Sequence, residues 1–405
     1  MSAARRVAAL ATRVFAPEPI PAAFRNHQLA RALERAGMRT AVLTTKPNSA
    51  DLPDSEAERR ALLAGCDAGI SRVSRAPVKR DRAGQVRGYV SYLSFDLPLF
   101  VRLLVTRRLD VIIAEPPPTT GVVVMVAAAI RRVPYVFYAA DIWADATESV
   151  EGVPSLVRRI VRWCETTVWR RAAVVLTISD GVQARIEELI GPTPTLAMIS
   201  NGIDTETFTV DGPVAAEEGP YLVYAGTVSE WQGADVLVEA FALARERHPG
   251  LRLLFFSEGT GKDALVELVR RRSLSGIEFR PRVGAAEVAA YLRGAVAGLS
   301  SITPGAGYDF ALPTKIYAAG ACGVPIIHAG SPGGAAAQRI REARLGYAPG
   351  ASPEAIAEAM VQAVDAHGSV DRAALREWTL ENASLQASAD RAAARIAQTV
   401  SSPRR

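Results

Sequence analysis

The residues best suited to chemistry lie in one stretch, Gly307 to His328, with the sequence GYDFALPTKIYAAGACGVPIIH. Proline fixes φ and lacks an amide that the first helical position does not need, so Pro313 predicts a helix that begins there. The first free amides, at Thr314 and Lys315, would lie at the positive end of the helix dipole, and an ammonium beside them suits a diphosphate. The alternative is an ordinary helix start in which Lys315 is merely solvated.

The rest of this stretch resembles the ligand-binding end of a parallel sheet. Gly320 and Gly323 interrupt or end the short helix, and Val324 to Ile327 follow as an apolar run of strand length. A loop, a helix and a buried strand in quick succession are typical of such a sheet edge. His328 ends the strand and is expected to be part of the scaffold.

Two acidic residues also follow predicted strands. Asp141, in YAADIWADA, would face the ligand crevice at the carboxyl end of its strand, or else cap the next helix. Glu258, in SEGTGK, lies where glycines would let the backbone approach a base or ribose; a turn that caps the next helix is the alternative. The four histidines show no metal-ligand spacing and no Ser/His/Asp order is recognisable. Hydrolysis and metal catalysis are therefore not favoured, and we expect no metal cofactor.

Alternating strands and helices must position these residues. Arg6 to Thr12 and Thr40 to Thr44 are predicted strands around a helix from Ala22 to Ala36. Further β-branched runs extend the series at 111–114, 134–138 and 174–178. This alternation predicts an open parallel sheet. No GxGxxG follows the first strand, so a dinucleotide site of the dehydrogenase type is not indicated.

A turn-rich linker, Asp211 to Pro220, precedes a second series. Its predicted strands are 221–225, 251–256, 277–279 and 297–300, and its predicted helices are 234–246, 262–272, 286–292, 353–366 and 372–380. We therefore predict an α/β fold of two Rossmann-like, doubly wound domains that face each other across a cleft. The predicted domains are residues 1–205, with a C-terminal helix of about 384–405 crossing back, and residues 206–383.

Composition and charge narrow the class of protein. Three separate cysteines, in no CxxC pairing, support neither a disulfide framework nor a zinc site, so a reducing cytoplasm is expected. No apolar run reaches the length of a membrane span, and no signal peptide is evident. Residues 1–200 carry 27 Lys and Arg against 19 Asp and Glu, whereas the remainder carries 20 against 23. The basic half should face the more anionic partner, an anionic membrane surface or a phosphorylated acceptor, unless its arginines only solvate helix ends. Nucleic acid is not expected, because no recognised motif accompanies the charge.

Three motifs together carry a family resemblance. Asn201-Gly202-Ile203-Asp204 with Phe208 matches an "NG(V/I)D…F" element, and Tyr224-Ala225-Gly226 with Gln232-Gly233-Ala234-Asp235 is similar to the opening of a donor domain. Pro313-Thr314-Lys315-Ile316-Tyr317 resembles a "P(S/T)KIYE" helix. In this order the motifs resemble the GT-B retaining glycosyltransferases of family 4, in the group that adds amino- or deoxysugars to lipid-linked glycans.

The resemblance implies a nucleoside-diphosphate sugar bound mainly by the second domain. Asp141 and Lys315 are the expected catalytic residues, and Phe24 and Asn201 lie on the acceptor side. The expected donor-binding residues are Gly226, Thr227, Gln232, Glu258, Gly259, Arg280, Arg282, Asp309, Phe310, Leu312, Pro313, Thr314 and Ala318.

The chain departs from the family at two places. The family's acidic pair, spaced E-x7-E, is replaced by Phe310 and Ala318, and Asp309 is a plausible substitute for the first acid only. Where the family places Arg and Lys on the phosphates, this chain has Thr227 and Gln232. Lys315 is left as the cation for the diphosphate, aided by Arg280 or Arg282.

The expected function is transfer of a sugar, with retention, to an acceptor hydroxyl on a lipid-linked glycan or a natural-product core. The apolar and aromatic run Tyr89 to Phe95 suggests an amphiphilic acceptor, although a core helix explains it equally well. The expected location is the cytoplasm, with peripheral contact at the inner face of the membrane. Because the acidic pair is absent, a non-catalytic GT-B partner protein or an epimerase-type enzyme remains the alternative.

Overall fold

The computed structural model describes residues 5–18, 20–81, 86, 88–148, 153–229, 232–305 and 308–401. Gly307 and the side chain of Tyr89 lie outside the described residues. The chain divides into two compact units, Met1–Ser200 together with Leu385–Arg405, and Asn201–Ser384. No helix in the described ranges is both long and apolar enough to cross a membrane.

The first unit is built on a parallel sheet. Its strands are β1 (Val7–Ala11), β2 (Arg39–Thr45), β3 (Arg72–Ala76), β4 (Val111–Ala114), β5 (Tyr135–Ala139), β6 (Val174–Thr177) and β7 (Leu196–Met198). They lie in the order β3-β2-β1-β4-β5-β6-β7, so the order reverses between β1 and β4. Central strands such as β4 are fully buried because helices cover both faces of a parallel sheet.

Helices cover this first sheet. They are α1 (Pro21–Arg35), α2 (Glu56–Asp67), α3 (Tyr89–Val105), α4 (Pro118–Arg131), α5 (Trp143–Glu148), α6 (Ser155–Arg171), α7 (Asp180–Ile190) and the terminal α15 (Leu385–Ser401). Helix α4 packs against both α3 and α6, and α15 packs along α1. The terminal helix belongs to this unit because Ala392, Ala393 and Ile396 are buried in its core.

The second unit repeats the plan. Its strands are β8 (Tyr221–Ala225), β9 (Arg252–Phe256), β10 (Ile277–Arg280), β11 (Ala297–Ser301), β12 (Ile326–Ala329) and β13 (Gly346–Gly350), in the parallel order β10-β9-β8-β11-β12-β13. Its helices are α8 (Asp235–Arg247), α9 (Lys262–Arg271), α10 (Ala285–Gly294), α11 (Thr314–Ala321), α12 (Ala335–Glu342), α13 (Pro353–Asp365) and α14 (Arg372–Ala383). The strand order reverses between β8 and β11.

The predicted fold class is confirmed, because two separate parallel sheets with helical crossovers are present. Strands β3, β7 and β13 were not predicted, because RVSRA and GYAPG carry no apolar or β-branched run and LAM is only three residues long. Each is an edge strand whose conformation comes from pairing with a neighbour, β2, β6 or β12.

Candidate functional site

Helix α11 positions Lys315 at the reversal point of the second sheet. The helix begins at Thr314 and not, as predicted, at Pro313, which is the extended N-cap residue. Gly320 lies inside the helix, and Gly323, with a φ of 68°, lies just beyond its end. Because Pro313 has no amide hydrogen, the start of the helix still has one fewer unpaired hydrogen-bond donor.

Small residues let α11 lie close to the sheet. The inward-facing Ile316 and Ala319 are fully buried. A Cβ built on Gly298 of β11 would lie 3.0 Å from the Cβ of Ala319, so a larger residue at 298 would push the helix outward. This close packing fixes the first turn of α11 relative to the carboxyl ends of β8 and β11.

Lys315 and Gly226 are in contact. The Nζ of Lys315 lies 4.7 Å from the centre of the Tyr224 ring. Gly226 directly follows β8 with a φ of 136°, and a Cβ built on it would lie 2.9 Å from Cε and 3.0 Å from Nζ of Lys315. The glycine thus leaves room for the end of the lysine at the topological switch point, where open α/β sheets bind ligands.

Lys315 is half-buried, and burial governs the state of its ammonium. Burial alone lowers its pKa to about 8, and among the residues that the structure describes no acid forms an ion pair with it. Burial and this nearby ammonium lower the pKa of His328 to about 4. His328 is therefore neutral at pH 7, and its Nδ1 lies 3.2 Å from Ser300 Oγ. A bound anion would give the Lys315 ammonium the charge partner that no described acid supplies.

The loops after β8 and β9 are tied together. The amide of Val228 donates to the carbonyl of Glu258 at 2.8 Å, and the hydroxyl of Tyr224 donates to the carbonyl of Thr227 at 2.9 Å. Gly259 has a φ of 129°, and a Cβ built on it would lie 2.2 Å from the carbonyl oxygen of Val228. Only glycine fits there. The side chains of Thr227 and Glu258 are exposed beside this contact.

Two other predicted donor-binding residues, Gln232 and Arg280, form hydrogen bonds or ion pairs with other residues of the chain. The buried Gln232 accepts hydrogen bonds from the amide and hydroxyl of Ser229, at 3.0 and 3.1 Å, and so holds the loop after β8. Arg280 pairs with Glu217 and, at 2.7 Å, with Glu278. These contacts do not support a role for Arg280 at a diphosphate. Arg282 follows β10 and is exposed.

The predicted sugar-side residues surround the start of α11. The carboxylate of Asp309 accepts a hydrogen bond from Ser331 Oγ at 2.6 Å, and its carbonyl accepts one from the amide of Ala335 at 2.7 Å. Phe310 and Leu312 are half-buried in the same loop. Ala318 lies one turn into the helix, in a cluster of buried apolar side chains that includes Phe208. An acid at position 318 would have to be buried among apolar groups, which is costly.

The first unit gathers a second polar cluster at its own reversal point, between β1 and β4. Glu115 follows β4 and pairs with Arg25 of α1 at 2.6 Å. Its other oxygen accepts hydrogen bonds from Thr12 Oγ1, at 3.1 Å, and from Asn26. The Arg25 guanidinium lies 5.0 Å from the centre of the Tyr138 ring. The sequence analysis missed this cluster; an acid between the buried strand VIIA and three prolines was the available signal.

Asp141 follows β5 beside this cluster and is an exposed residue. Desolvation raises the pKa of the Asp141 carboxyl, the Arg25 guanidinium opposes that rise, and the Glu115 carboxylate adds to it. Asp141 thus lies at the carboxyl end of a central strand, where open α/β sheets bind ligands.

The capping alternative for Asp141 is not supported. The amides of Trp143 and Ala144, at the start of α5, donate to the buried Glu165 at 2.9 and 2.8 Å. Burial raises the pKa of Glu165 to about 7, whereas the two amides lower it. Since Glu165 satisfies these amides, the Asp141 carboxylate is not needed to start the helix.

The two predicted acceptor-side residues differ in setting. Phe24, in the first turn of α1, is exposed. Asn201 is half-buried, and its side-chain oxygen accepts the amide of Gly202 at 3.1 Å. Asp204 of the same motif accepts the hydroxyl of Thr207 at 2.7 Å. The NGID motif thus orders its own turn at the start of the second unit.

Two family models match this chain. One is described as the glycosyl transferase 4-like domain and matches residues 22–202; the other is described as glycosyl transferases group 1 and matches residues 219–366. Together they cover most of both units, in the order that the motifs predicted. The chain belongs to the GT-B glycosyltransferases of the family 4 type.

Curated relatives of this GT-B chain are distant. A GDP-mannose-dependent alpha-(1-6)-phosphatidylinositol monomannoside mannosyltransferase of Mycobacterium tuberculosis is 29% identical over 219 residues, which are 51% of this chain and 56% of that protein. A glycogen synthase of the same organism is 30% identical over 153 residues, 36% of each chain. The chain thus spans about half or less of the length of these relatives.

Solved structures resemble the whole chain. A glycosyltransferase from Rickettsia africae has a TM-score of 0.72 at 13% identity and covers 99% of this chain and 100% of its own. A sucrose-phosphate synthase from Thermosynechococcus elongatus has a TM-score of 0.70 at 15% identity, over 97% and 99%. Anabaena HepE in complex with UDP has a TM-score of 0.69 at 14% identity, over 97% and 100%. At these identities the likeness shows the fold alone.

No group of His, Cys, Asp and Glu residues that could hold a metal ion occurs within the described ranges. The expectation that transfer needs no metal stays a prediction.

Proposed function

We propose that this GT-B protein transfers a hexosyl or aminosugar unit from a nucleoside-diphosphate sugar to an acceptor hydroxyl, with retention at the anomeric carbon. The observation that carries the proposal is the uncompensated ammonium of Lys315, held against Gly226 at the start of α11. A helix N-terminus and a cation without a counter-ion together favour a diphosphate. The names of the relatives above fit this proposal, since one uses GDP-mannose and HepE was solved with UDP.

The chemistry asked of Lys315 is stabilisation of the leaving group. When the bond between the sugar and the diphosphate breaks, negative charge grows on the departing oxygen. A preorganised ammonium and helix amides stabilise that charge more in the transition state than in the ground state, so they lower the barrier without covalent chemistry. With a pKa of about 8 in the free protein, Lys315 is mostly charged at pH 7, and a bound anion favours that form further.

Recognition of the donor sugar rests on fewer acids than the family pattern has. Asp309 lies in the loop that leads into α11, and we assign it to the sugar hydroxyls. Ribose is assigned to Glu258 and to backbone amides near Gly259, because Ala318 offers no acceptor. The half-buried Phe310, Leu312, Pro313 and Thr314 would line this end of the site.

The acceptor is assigned to the first unit. The accessible carboxylate of Asp141 would accept a hydrogen bond from the acceptor hydroxyl, with Phe24 and Asn201 as further contacts. A lipid-linked acceptor is favoured over a natural-product core, because the first unit is basic and one relative is named for a phosphatidylinositol mannoside acceptor. We accordingly propose a cytoplasmic protein that contacts the inner face of the membrane.

One observation supports a second candidate function. Ala318 is buried among apolar side chains, so the second family acid is absent and its place is filled. A GT-B protein without it could serve as a non-catalytic partner or as an epimerase-type enzyme. A putative UDP-N-acetylglucosamine 2-epimerase from Listeria monocytogenes shares the fold, with a TM-score of 0.60 at 13% identity.

Calorimetric titration with a panel of nucleoside diphosphates distinguishes these functions. We expect one nucleotide to bind at micromolar concentration, and Lys315→Ala to abolish binding and to reduce turnover by about two orders of magnitude or more. Lys46→Ala, at an exposed lysine of the first unit, is the matched control and should change neither. No binding of any nucleotide would favour the non-catalytic partner, and conversion of a nucleotide sugar without an acceptor would favour the epimerase.

A further inference from the structure

Three neighbouring helices of the first unit expose apolar side chains. Helix α4 packs against both α3 and α6, so the outer surfaces of the three helices adjoin. The exposed apolar residues of this layer, called here the apolar face, are Val90, Leu93, Leu97, Val101, Val105, Val126, Ile130, Leu156, Ile160 and Trp163. Their spacing of three or four residues places each helix's set on one side of that helix. Soluble proteins rarely leave so long an apolar surface without a function.

Trp163 is the most informative member of the apolar face. The residue is 65% exposed in the middle of α6, with Leu156 and Ile160 on the same side of the helix. A tryptophan that only filled the core would be covered, as Trp169 is six residues later. Tryptophan is enriched where proteins meet the boundary between lipid headgroups and acyl chains.

The exposed charges described on α6 and just after α3 and α4 are all positive. Within the described helices α3 and α6 the acidic residues Asp96 and Glu165 are both buried. The exposed charged residues on α6 and directly after α3 and α4 are all arginines, namely Arg107, Arg108, Arg132, Arg159, Arg170 and Arg171.

The arginines are also grouped in space. Crossover helices run antiparallel to the strands that follow them, so α3, α4 and α6 all end at the same edge of the sheet. Arg108, Arg132 and Arg171 stand at those three ends. The apolar face therefore has a positive rim along one edge, and Arg159 lies within it on α6.

We propose that the apolar face docks on a lipid bilayer that contains anionic lipids. Trp163 and the aliphatic side chains would enter the interfacial region, and the arginines would contact the anionic headgroups. Charge favours this occupant: anionic headgroups neutralise the arginines, whereas the same face of a second copy presents no exposed acid on the described parts of α3, α4 and α6. The inference rests on the membrane location proposed above, but its test measures vesicle binding without donor or acceptor. Its failure would thus leave the nucleotide titration unaffected.

Co-sedimentation with vesicles tests the proposal. The full-length protein should bind vesicles containing a phosphoglycerol lipid at low salt, and bind less at high salt or to vesicles of phosphocholine lipid alone. Arg159→Gln with Arg171→Gln should lower the partition coefficient about fivefold for each arginine removed. The control pair, Arg60→Gln with Arg271→Gln, removes the same charge from exposed arginines of α2 and α9 and should have little effect.

The apolar contribution has its own variants. Trp163→Ser should weaken binding to the anionic vesicles about tenfold or more, because the aromatic side chain that would enter the bilayer interface is lost. Leu380→Ser, at an exposed apolar residue of α14, is the control. Equal vesicle binding by Trp163→Ser and the unmodified protein would overturn the proposal. So would a dimer without vesicles that Trp163→Ser converts to a monomer, because the face would then pair two copies of the chain.

Discussion

Replacing Gly226 by alanine tests whether the position of the Lys315 ammonium, and not its presence alone, matters for donor binding. The new Cβ would lie 2.9 Å from Cε and 3.0 Å from Nζ of Lys315. Carbon atoms in contact are normally about 3.5–4.0 Å apart. The end of the lysine must therefore move by roughly 0.5–1 Å, which a flexible side chain does at little cost.

The expected magnitudes follow from this geometry. The stability cost comes mainly from the backbone, because alanine at a φ of 136° is strained by about 1–3 kcal/mol. The functional cost is larger, because a charged group displaced by about 1 Å can lose about a hundredfold in rate. We expect Gly226→Ala to approach Lys315→Ala in both nucleotide affinity and turnover, while remaining folded.

Calorimetric titration and denaturant unfolding measure the two costs separately. Gly219→Ala is the control, because Gly219 also has a positive φ, of 70°, and a Cβ there would meet its nearest neighbour at an ordinary 3.7 Å. The Gly219→Ala variant should lose some stability and keep its nucleotide affinity. In the double variant of Gly226 and Lys315 the losses should not add, since both act on one ammonium. Wild-type affinity in Gly226→Ala, or fully additive losses, would refute the reasoning.

Three further predictions concern charge and backbone packing. Because the pKa of Lys315 is lowered to about 8, the ammonium is lost as pH rises through that value, so nucleotide binding should weaken above it. Binding near pH 8 should take up protons, which titrations in buffers of different ionisation enthalpy detect, and Lys315→Ala should abolish this uptake. Glu115→Ala should lower the free energy of unfolding by about 3–5 kcal/mol because it leaves the buried Arg25 charge unpaired, whereas Glu358→Ala, in an exposed ion pair, should cost about 1 kcal/mol or less, both measured in denaturant. Gly259→Ala should reduce nucleotide affinity in a titration, because its Cβ would lie 2.2 Å from the backbone oxygen of Val228, which cannot move aside as a flexible side chain can. Unchanged affinity would show that this loop is not part of the nucleotide site.

The sequence predicted the parts of the site that depend on local pattern. A proline before a small-residue helix is a signal within about ten residues and singled out Lys315, whereas Gly226 was singled out by the Tyr224-Ala225-Gly226 motif of the family resemblance. Their contact was not predicted, because it depends on how closely α11 packs on β11. The strand order that brings β8 beside β11 is a property of the whole sheet.

The residues that sequence reasoning missed or misplaced owe their roles to distant partners. Arg25 and Glu115 are 90 residues apart, and no spacing rule joins them. Arg280 was expected to aid Lys315 at the diphosphate because Thr227 and Gln232 replace the family's cations, but Glu217, 63 residues earlier, engages its guanidinium. Glu165 was overlooked because a buried acid in a helix resembles an exposed one until the neighbouring amides are placed.

Charge at the two reversal points suggests how donor and acceptor are divided between the units. At β8 and β11 the cation Lys315 has no acidic partner among the described residues, so an anionic diphosphate gains an attraction at little cost to the protein. At β1 and β4 the cation Arg25 is already neutralised by Glu115, and the carboxylate of Asp141 lies beside them. A neutral hydroxyl at this point could donate a hydrogen bond to Asp141. We infer that the diphosphate belongs to the second unit, where the cation has no described acidic partner, and the acceptor hydroxyl to the first.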